Sequence, residues 1–208
     1  MIKEVTHLVK VNTELETIKN LTELPPHISY DEYQKVLEAI DEYYDGKKPT
    51  QVASKHRFRD KLFFKLMWQT GARVDDLCNM LATDIDFFKK ILALRVQKTK
   101  KTVKITLDDT ILLEISQYLS NYKVEGKIFG FTRQYAWRMV KKYGKLADIE
   151  GLHPHKFRHG LAIHLLNNGV PIPVISARLG HSTTAITQQM YLKITPELQR
   201  EFLKNVRM

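Results

Sequence analysis

The residues best suited to chemistry lie in the segment 153–191, which gathers histidines, arginines and one tyrosine. His155 and Arg158 are three residues apart, a spacing that places both side chains on one face of a helix. Further along, His181 follows a leucine and a glycine, and Tyr191 supplies a hydroxyl group. An imidazole can move a proton, a guanidinium can bind an anion, and a phenol can act as a nucleophile. The alternative is a helical core whose histidines are merely hydrogen-bonded.

A further arginine lies in the sequence TGARVDDLCNM. Thr70 and Gly71 break one predicted helix, and Arg73 falls at the start of the next. A helix start is an unfavourable place for a cation, because the helix dipole is positive there. Two interpretations remain open: a surface ion pair with Asp75 or Asp76, or an arginine held rigidly toward an anion.

A predicted β-hairpin follows. Ile91–Val96 and Thr102–Leu107 are rich in β-branched residues, and the second run alternates between apolar and polar side chains. Residues 97–101 form the predicted turn between them. The lysines of this hairpin are Lys98, Lys100, Lys101 and Lys104. They are typical either of a solvated sheet edge or of a hairpin tip that inserts a lysine beside a DNA phosphate.

A predicted helix after Phe131 is both basic and aromatic. Its cations are Arg133, Arg138, Lys141, Lys142 and Lys145, and they are interleaved with two tyrosines and a tryptophan. This mixture suits contact with DNA phosphates, although a solvated basic face is the alternative.

Together these residues favour chemistry at a phosphodiester. Two guanidiniums, Arg73 and Arg158, can hold the non-bridging oxygens and stabilise the charge of the transition state. A lysine can protonate a departing 5′-oxygen, and a tyrosine ester of phosphate keeps the bond energy for rejoining. No paired carboxylates are placed to bind Mg²⁺, which argues against a two-metal nuclease.

The pattern of apolar residues predicts a mainly helical scaffold around these residues. A capping box at Ser29 starts a helix that ends near Tyr44. The other predicted helices are Lys55–Gln69, one from Arg73 whose apolar face includes Leu81, residues 108–122, the basic helix, Arg158–Gly169, Val174–Leu179, a short helix carrying Tyr191, and one from Thr195. Gly169 is expected to adopt the left-handed conformation that ends its helix.

Composition limits the class of protein. The chain has 208 residues, is 43% hydrophobic and has a formal charge of +10, which indicates a globular protein with a polyanionic partner. The single cysteine, Cys78, excludes a disulfide framework and a cysteine zinc site. No apolar run could span a bilayer and the N-terminus lacks a signal peptide, so we expect a cytoplasmic protein with no membrane partner.

Three segments of the chain, TGARVDDL, HPHKFRHGLAIHLL and LGHSTTAITQQMY, resemble the signature motifs of the tyrosine recombinase (phage integrase) family, which includes Xer-like and lambda-type enzymes. The match runs from about Ser29 to Tyr191 with the motifs in the expected order. The resemblance implies the family's catalytic-domain fold, mainly α with a small antiparallel β-sheet (α+β).

The resemblance also implies roles for particular residues. The implied catalytic residues are Arg73, Lys98, His155, Arg158, His181 and Tyr191, with Lys100 and Lys101 as alternatives to the lysine. Asp76 and His159 are implied supporting residues, the former orienting the first arginine. The expected DNA-binding residues are Lys100, Lys101, Lys104, Arg133, Arg138, Lys141 and Lys142. No metal or other cofactor is expected.

The implied function is that of a site-specific recombinase or integrase working through a covalent 3′-phosphotyrosine. The alternatives are a type IB topoisomerase and a catalytically silent DNA-binding regulator. Residues 1–28 are predicted to be an extension or linker and residues 29–208 the catalytic domain, without a separate N-terminal core-binding domain. The expected partners are double-stranded DNA, other protomers in a tetrameric synapse, and accessory DNA-bending proteins.

Overall fold

A computed structural model of the chain describes residues 24–180. This part of the chain contains seven α-helices and one small three-stranded antiparallel sheet, so the predicted fold class is confirmed. The elements are α1 (Tyr30–Asp45), α2 (Gln51–Thr70), α3 (Val74–Cys78), β1 (Ile85–Asp86), β2 (Ile91–Arg95), β3 (Thr102–Thr106), α4 (Asp109–Tyr122), α5 (Arg133–Leu146), α6 (Pro154–Asn167) and α7 (Ile172–Leu179). No helix among the described residues is long and apolar enough to cross a membrane.

Helix α1 begins as its sequence predicts. The Ser29 hydroxyl accepts a hydrogen bond from the Glu32 N–H at 3.1 Å, and the Glu32 carboxylate accepts one from the Ser29 N–H at 2.7 Å. This reciprocal cap satisfies two N–H groups that the first turn leaves without helical partners. The predicted apolar face, which includes Val36 and Ile40, is buried in the core.

Helix α2 is the central helix of the domain. It packs against α1, α4 and α6, and buried side chains lie on several of its faces rather than on one. It begins four residues before the predicted start, because the Thr50 hydroxyl caps it by accepting a hydrogen bond from the Ala53 N–H at 3.0 Å. At its other end Gly71 has φ 61°, a left-handed conformation that turns the chain toward α3.

The sheet has three strands, of which the sequence predicted two. Strands β2 and β3 form the expected hairpin, with Leu92 opposite Ile105 and Arg95 opposite Thr102. Strand β1 pairs Ile85 with Leu92 on the other side of β2. Its two residues are too short a run for alternation to reveal, so it was missed.

Two further predicted helix boundaries, besides the start of α2, are wrong. Helix α3 has only five residues and ends at Cys78, so Leu81 does not line its apolar face; Leu81 is exposed and instead precedes a 3-10 turn at Ala82–Asp84. Helix α6 begins at Pro154 rather than Arg158, since proline is favoured in the first turn of a helix, where its missing N–H costs no hydrogen bond. As a result, His155 and Arg158 both belong to α6.

The end of α6 and the start of α7 lie close to their predicted positions. Gly169 has φ 76°, as expected for the residue that turns the chain after a helix. Helix α7 starts at Ile172, two residues early, and ends before Gly180, which has φ 64°. The predicted helices carrying Tyr191 and following Thr195 lie outside the described residues.

The segment before α1 is part of the packed domain. Ile28 is 1% exposed, and its N–H donates a hydrogen bond to the Lys156 carbonyl of α6 at 3.2 Å. The approach depends on Gly160, because a Cβ there would lie 2.2 Å from the Ile28 carbonyl oxygen. Ile28 therefore packs against α6 although it lies just outside the predicted domain boundary.

Candidate active site

One cleft of about 450 Å³ is lined by four of the predicted catalytic residues. They are Arg73, Lys98, His155 and Arg158. Three separate parts of the fold supply them: the turn after α2, the tip of the β2–β3 hairpin, and the first turns of α6. The other two predicted catalytic residues, His181 and Tyr191, lie outside the described residues.

Arg158 is the most buried cation of the cleft, with 7% of its surface exposed. Its Nη1 donates to the Gly71 carbonyl at 2.7 Å and its Nη2 to the Leu179 carbonyl at 2.6 Å. Burial and, to a lesser extent, the positive charge of Arg73 lower the pKa of Arg158 to about 10. Both hydrogen-bond acceptors are neutral and the Asp76 carboxyl group offsets the charge of this guanidinium only in part, so an anion in the cleft would be favoured.

Arg73 occupies the position directly before α3, where its side chain makes no capping hydrogen bond. Among the residues that the structure describes, no carboxylate lies within ion-pairing distance of this guanidinium. A surface pair with Asp75 or Asp76 is therefore not formed within that range. The cations that line the cleft outnumber its two carboxylates, Asp75 and Asp76, so the net charge of the lining is positive.

Asp76 is hydrogen-bonded to the hairpin turn, and its predicted role in orienting Arg73 stays a prediction. Its Oδ1 accepts a hydrogen bond from the backbone N–H of Gln97 at 2.8 Å, which joins α3 to the start of the hairpin turn. The carboxylate is buried, and burial raises the pKa of Asp76 despite this hydrogen bond and the charge of Arg73. Lys98 is the next residue after Gln97, so this contact determines where its side chain starts.

The hairpin turn distinguishes between the candidate lysines. The N–H of Lys100 donates to the Val96 carbonyl at 2.8 Å, and the N–H of Val96 donates to the Lys101 carbonyl at 2.9 Å. All three lysines are exposed in this tight turn, but Lys98 and Lys100 line the cleft and Lys101 does not. The structure thus leaves Lys98 and Lys100 as the cleft lysines.

The histidines of α6 have different surroundings. His155 is exposed at the cleft, where partial desolvation and then the nearby basic side chains, among them Arg158 and Arg73, lower its pKa below the ordinary value. A lowered pKa keeps the imidazole neutral near pH 7 and able to accept a proton. His159 is not in the cleft lining: its Nδ1 lies 3.1 Å from the Pro26 carbonyl oxygen, so Nδ1 carries the proton and donates to that segment.

The basic residues of α5 do not share one surface. Arg133 lines the cleft together with Trp137, whose ring faces His153 at 6.3 Å and 9° between planes. Lys141 lines a neighbouring cavity of about 670 Å³ on the other side of Trp137. A third cavity, of about 610 Å³, contains Arg138 and Lys142 between α5 and the α1–α2 connection. Lys104 is exposed on β3.

Two features of the site could not be found in the sequence. Gln97 contributes its backbone N–H, a group that nearly every residue has, so the residue type at this position could not indicate the contact. Trp137 drew attention only as an aromatic residue among cations, whereas the fold makes it a wall of the cleft. In the described part of the chain no cluster of three or more histidine, cysteine, aspartate or glutamate side chains could hold a metal.

Comparison with known proteins identifies the family of the chain. The family model described as "Phage integrase family" matches residues 26–197. The chain belongs to the phage integrase family. The predicted resemblance to the catalytic domain of tyrosine recombinases is therefore confirmed. The enzyme class is that of the tyrosine recombinases.

Relatives of this phage integrase family member agree with that assignment. It is 30% identical to tyrosine recombinase XerA of Pyrococcus horikoshii over 95% of this chain and 68% of that protein. A crystal structure of XerA recombinase superposes with a TM-score of 0.70 at 25% identity, covering 89% of this chain and 67% of that one. XerH, solved bound to its difH substrate, shares the fold with a TM-score of 0.68 at 19% identity, over 86% of this chain and 53% of XerH. The chain thus spans between about half and two thirds of these relatives.

Proposed function

We propose that the protein is a site-specific recombinase that cleaves and rejoins DNA strands through a covalent 3′-phosphotyrosine. One observation carries the proposal: Arg73, Arg158 and His155 converge with a hairpin lysine on a single cleft. Family membership supports the same reaction class, because the relatives are tyrosine recombinases.

The cleft is suited to a phosphodiester. Arg158 is fixed by two backbone carbonyl oxygens and Arg73 by its place between the αL turn at Gly71 and α3. Two planar guanidiniums can donate to the non-bridging oxygens and gain strength as charge accumulates there in the transition state. Because neither arginine has a carboxylate partner among the described residues, the phosphate supplies the missing negative charge.

The proposed chemistry is a reversible transesterification. The Tyr191 oxygen attacks phosphorus, a new O–P bond forms, and the bond to the 5′-oxygen breaks. The phenolic proton passes to an imidazole, for which we propose His155 or His181, and Lys98 gives a proton to the departing 5′-oxygen. A free 5′-hydroxyl of the partner strand then attacks the phosphotyrosine in the reverse sense, so no nucleotide is required.

The proposed partners are double-stranded DNA and further copies of the same protein. The formal charge of +10 favours a polyanion, and XerH, a relative of the same fold, was solved with its difH substrate. Exchange between two duplexes breaks four strands, and one tyrosine per strand requires four protomers in the synapse. Accessory DNA-bending proteins remain part of the proposal.

The test uses a nicked suicide substrate from which the cleaved 5′ fragment diffuses away. Wild-type protein is expected to form a denaturation-resistant adduct with DNA, and Tyr191→Phe is expected to bind DNA equally but form none. An adduct with Tyr191→Phe would assign the nucleophile to another hydroxyl. Relaxation of any supercoiled plasmid without exchange between defined sites would favour a type IB topoisomerase, and binding without adduct would favour a silent regulator.

A further inference from the structure

Arg178, in the last turn of α7, hydrogen-bonds to backbone carbonyl groups, and within residues 24–180 it forms no ion pair with an acid. Its Nε and Nη2 both donate to the Gln69 carbonyl oxygen, at 3.1 and 2.8 Å, and Nη2 also lies 3.3 Å from the Thr106 carbonyl oxygen. A single half-buried guanidinium thus joins the end of α7 to the end of α2 and to β3.

Arg158 joins the end of α2 to the end of α7 as well, through neighbouring carbonyl groups. It donates to Gly71, two residues after Gln69, and to Leu179, the residue after Arg178. The two arginines therefore form parallel links between residues 69–71 and residues 178–179. The Arg178 link lies outside the cleft lining, whereas the Arg158 link lies in it.

Close packing surrounds this pair of links. A Cβ on Gly71 would lie 2.4 Å from Cδ2 of Leu179, and one on Gly180 would lie 2.7 Å from Cγ2 of Val103. The side-chain amide of Gln69 donates to Asp108, whose other carboxylate oxygen caps α4 by accepting from Ile111 at 2.8 Å. The carbonyl oxygen that Arg178 binds is consequently fixed from several sides.

We propose that Arg178 is a positioning residue for strand cleavage, which acts by fixing the distance between the Gly71 and Leu179 carbonyl oxygens. With that distance fixed, the Arg158 guanidinium is held in one orientation, and its remaining N–H groups are left for the phosphate. A displaced donor loses much of its effect, because stabilisation of a transition state depends on preorganised geometry. This inference rests on the proposed function.

The first test compares cleavage by Arg178→Met and Arg178→Lys with wild type in single-turnover reactions on the suicide substrate. Arg178→Met is expected to cleave at least about tenfold more slowly, as expected for a misplaced catalytic group, with DNA affinity within about twofold. Arg178→Lys keeps the charge and one donor group, so its cleavage rate should lie between those of wild type and Arg178→Met. This variant also provides the test if Arg178→Met does not fold. Arg57→Met is the matched control, since Arg57 also links two helices by binding Asp41 and Asp45 but lies outside the cleft lining.

A second substrate separates positioning from general support of the fold. When a neutral methylphosphonate replaces the scissile phosphate, the transition state carries one negative charge fewer for Arg158 to stabilise, so the Arg178→Met deficit should become much smaller. An equal deficit on both substrates, an equal deficit in Arg57→Met, or no deficit at all would overturn the inference.

A measurement that needs no cleavage tests the shared links directly. In thermal unfolding, the loss of Tm in the double variant Arg158→Met, Arg178→Met should be smaller than the sum of the two single losses, because either change already loosens the same pair of segments. Additive losses overturn the inference. Absence of any wild-type adduct would instead count against the proposed function, and this coupling would still be measured.

Discussion

The backbone N–H of Gln97 donates a hydrogen bond of 2.8 Å to Oδ1 of Asp76. The contact joins the short helix that follows Arg73 to the turn that carries Lys98. Asp76 is buried, so water cannot replace the bond without opening the cleft wall. We therefore expect the acid to act on the lysine of the hairpin rather than on the arginine.

This contact predicts a difference between two substitutions of Asp76. Asparagine keeps an oxygen that can accept from Gln97, so Asp76→Asn should cleave at close to the wild-type rate. Asp76→Ala leaves the N–H without an acceptor and should slow cleavage about tenfold, the effect of about 1.4 kcal/mol on the barrier. Single-turnover cleavage measures both, with DNA affinity as the control; equal losses in the two variants would contradict the role of the hydrogen bond.

The cleft lysines can be distinguished by the leaving group. A substrate with sulfur in place of the 5′-oxygen needs little protonation, so it should restore cleavage by Lys98→Ala. The matched variant is Lys100→Ala, whose side chain lines the same cleft. If the sulfur substrate restores Lys100→Ala and leaves Lys98→Ala inactive, the general acid is Lys100.

The arginines should not tolerate lysine. Arg158→Lys keeps the charge but cannot reach the Gly71 and Leu179 carbonyl oxygens while also binding a phosphate, and Arg73→Lys loses two-pronged binding of the phosphate. We expect cleavage to fall by about 10²-fold or more in each variant, with a much smaller change in DNA affinity at moderate salt. Near wild-type cleavage by either lysine variant would exclude the arginine clamp.

The cations around His155 predict its titration. Desolvation and neighbouring positive charges, including Arg73, lower the pKa of His155, so NMR of the free protein should give a value below the ordinary 6.5. Arg73→Gln should raise that pKa, because one of the repelling charges is removed. A group whose pKa is lowered in the folded state binds more protons when the protein unfolds. The contribution of His155 to the free energy of unfolding is therefore fully present above pH 6.5 and is lost as the pH falls below that value. A pKa at or above 6.5 in the wild-type protein would contradict this electrostatic picture.

Gly160 should be indispensable to the packing of the segment before α1. In Gly160→Ala the new methyl group would meet the Ile28 carbonyl oxygen, a backbone atom that cannot rotate away. We expect a loss of about 1–3 kcal/mol in the free energy of unfolding, measured with urea. Gly130→Ala is the control, because a Cβ there meets nothing within 4 Å. Equal stability of the two variants would show that the segment yields at little cost.

Local signals made much of the fold predictable. The capping box at Ser29 and the alternation in β3 each act within a few residues, and both elements form as expected. The motif spacing of His155 and Arg158 likewise predicted a shared helix face. The early end of helix α3 and the short strand β1 were not predictable, because packing against the rest of the domain determines both.

The contacts that organise the site were beyond the sequence for a different reason. Arg158 is bonded to residues 87 and 21 positions away, and Asp76 to one 21 positions away. These partners contribute backbone oxygen and nitrogen atoms, which every residue has. The residue types therefore predicted which side chains could do chemistry, and only the fold determines what holds them.

Trp137, in the wall of the cleft, is an intrinsic fluorescent probe of the site. The chain contains two tryptophans: Trp68 is 7% exposed and stacked on Tyr33 at 4.8 Å, whereas Trp137 lines the cleft and faces His153. Indole emission responds to nearby water and to charged quenchers, so we expect buried Trp68 to give a nearly constant signal and Trp137 to respond when DNA fills the cleft as proposed. Filling of the cleft can thus be followed by intrinsic fluorescence, without attaching a dye to protein or DNA.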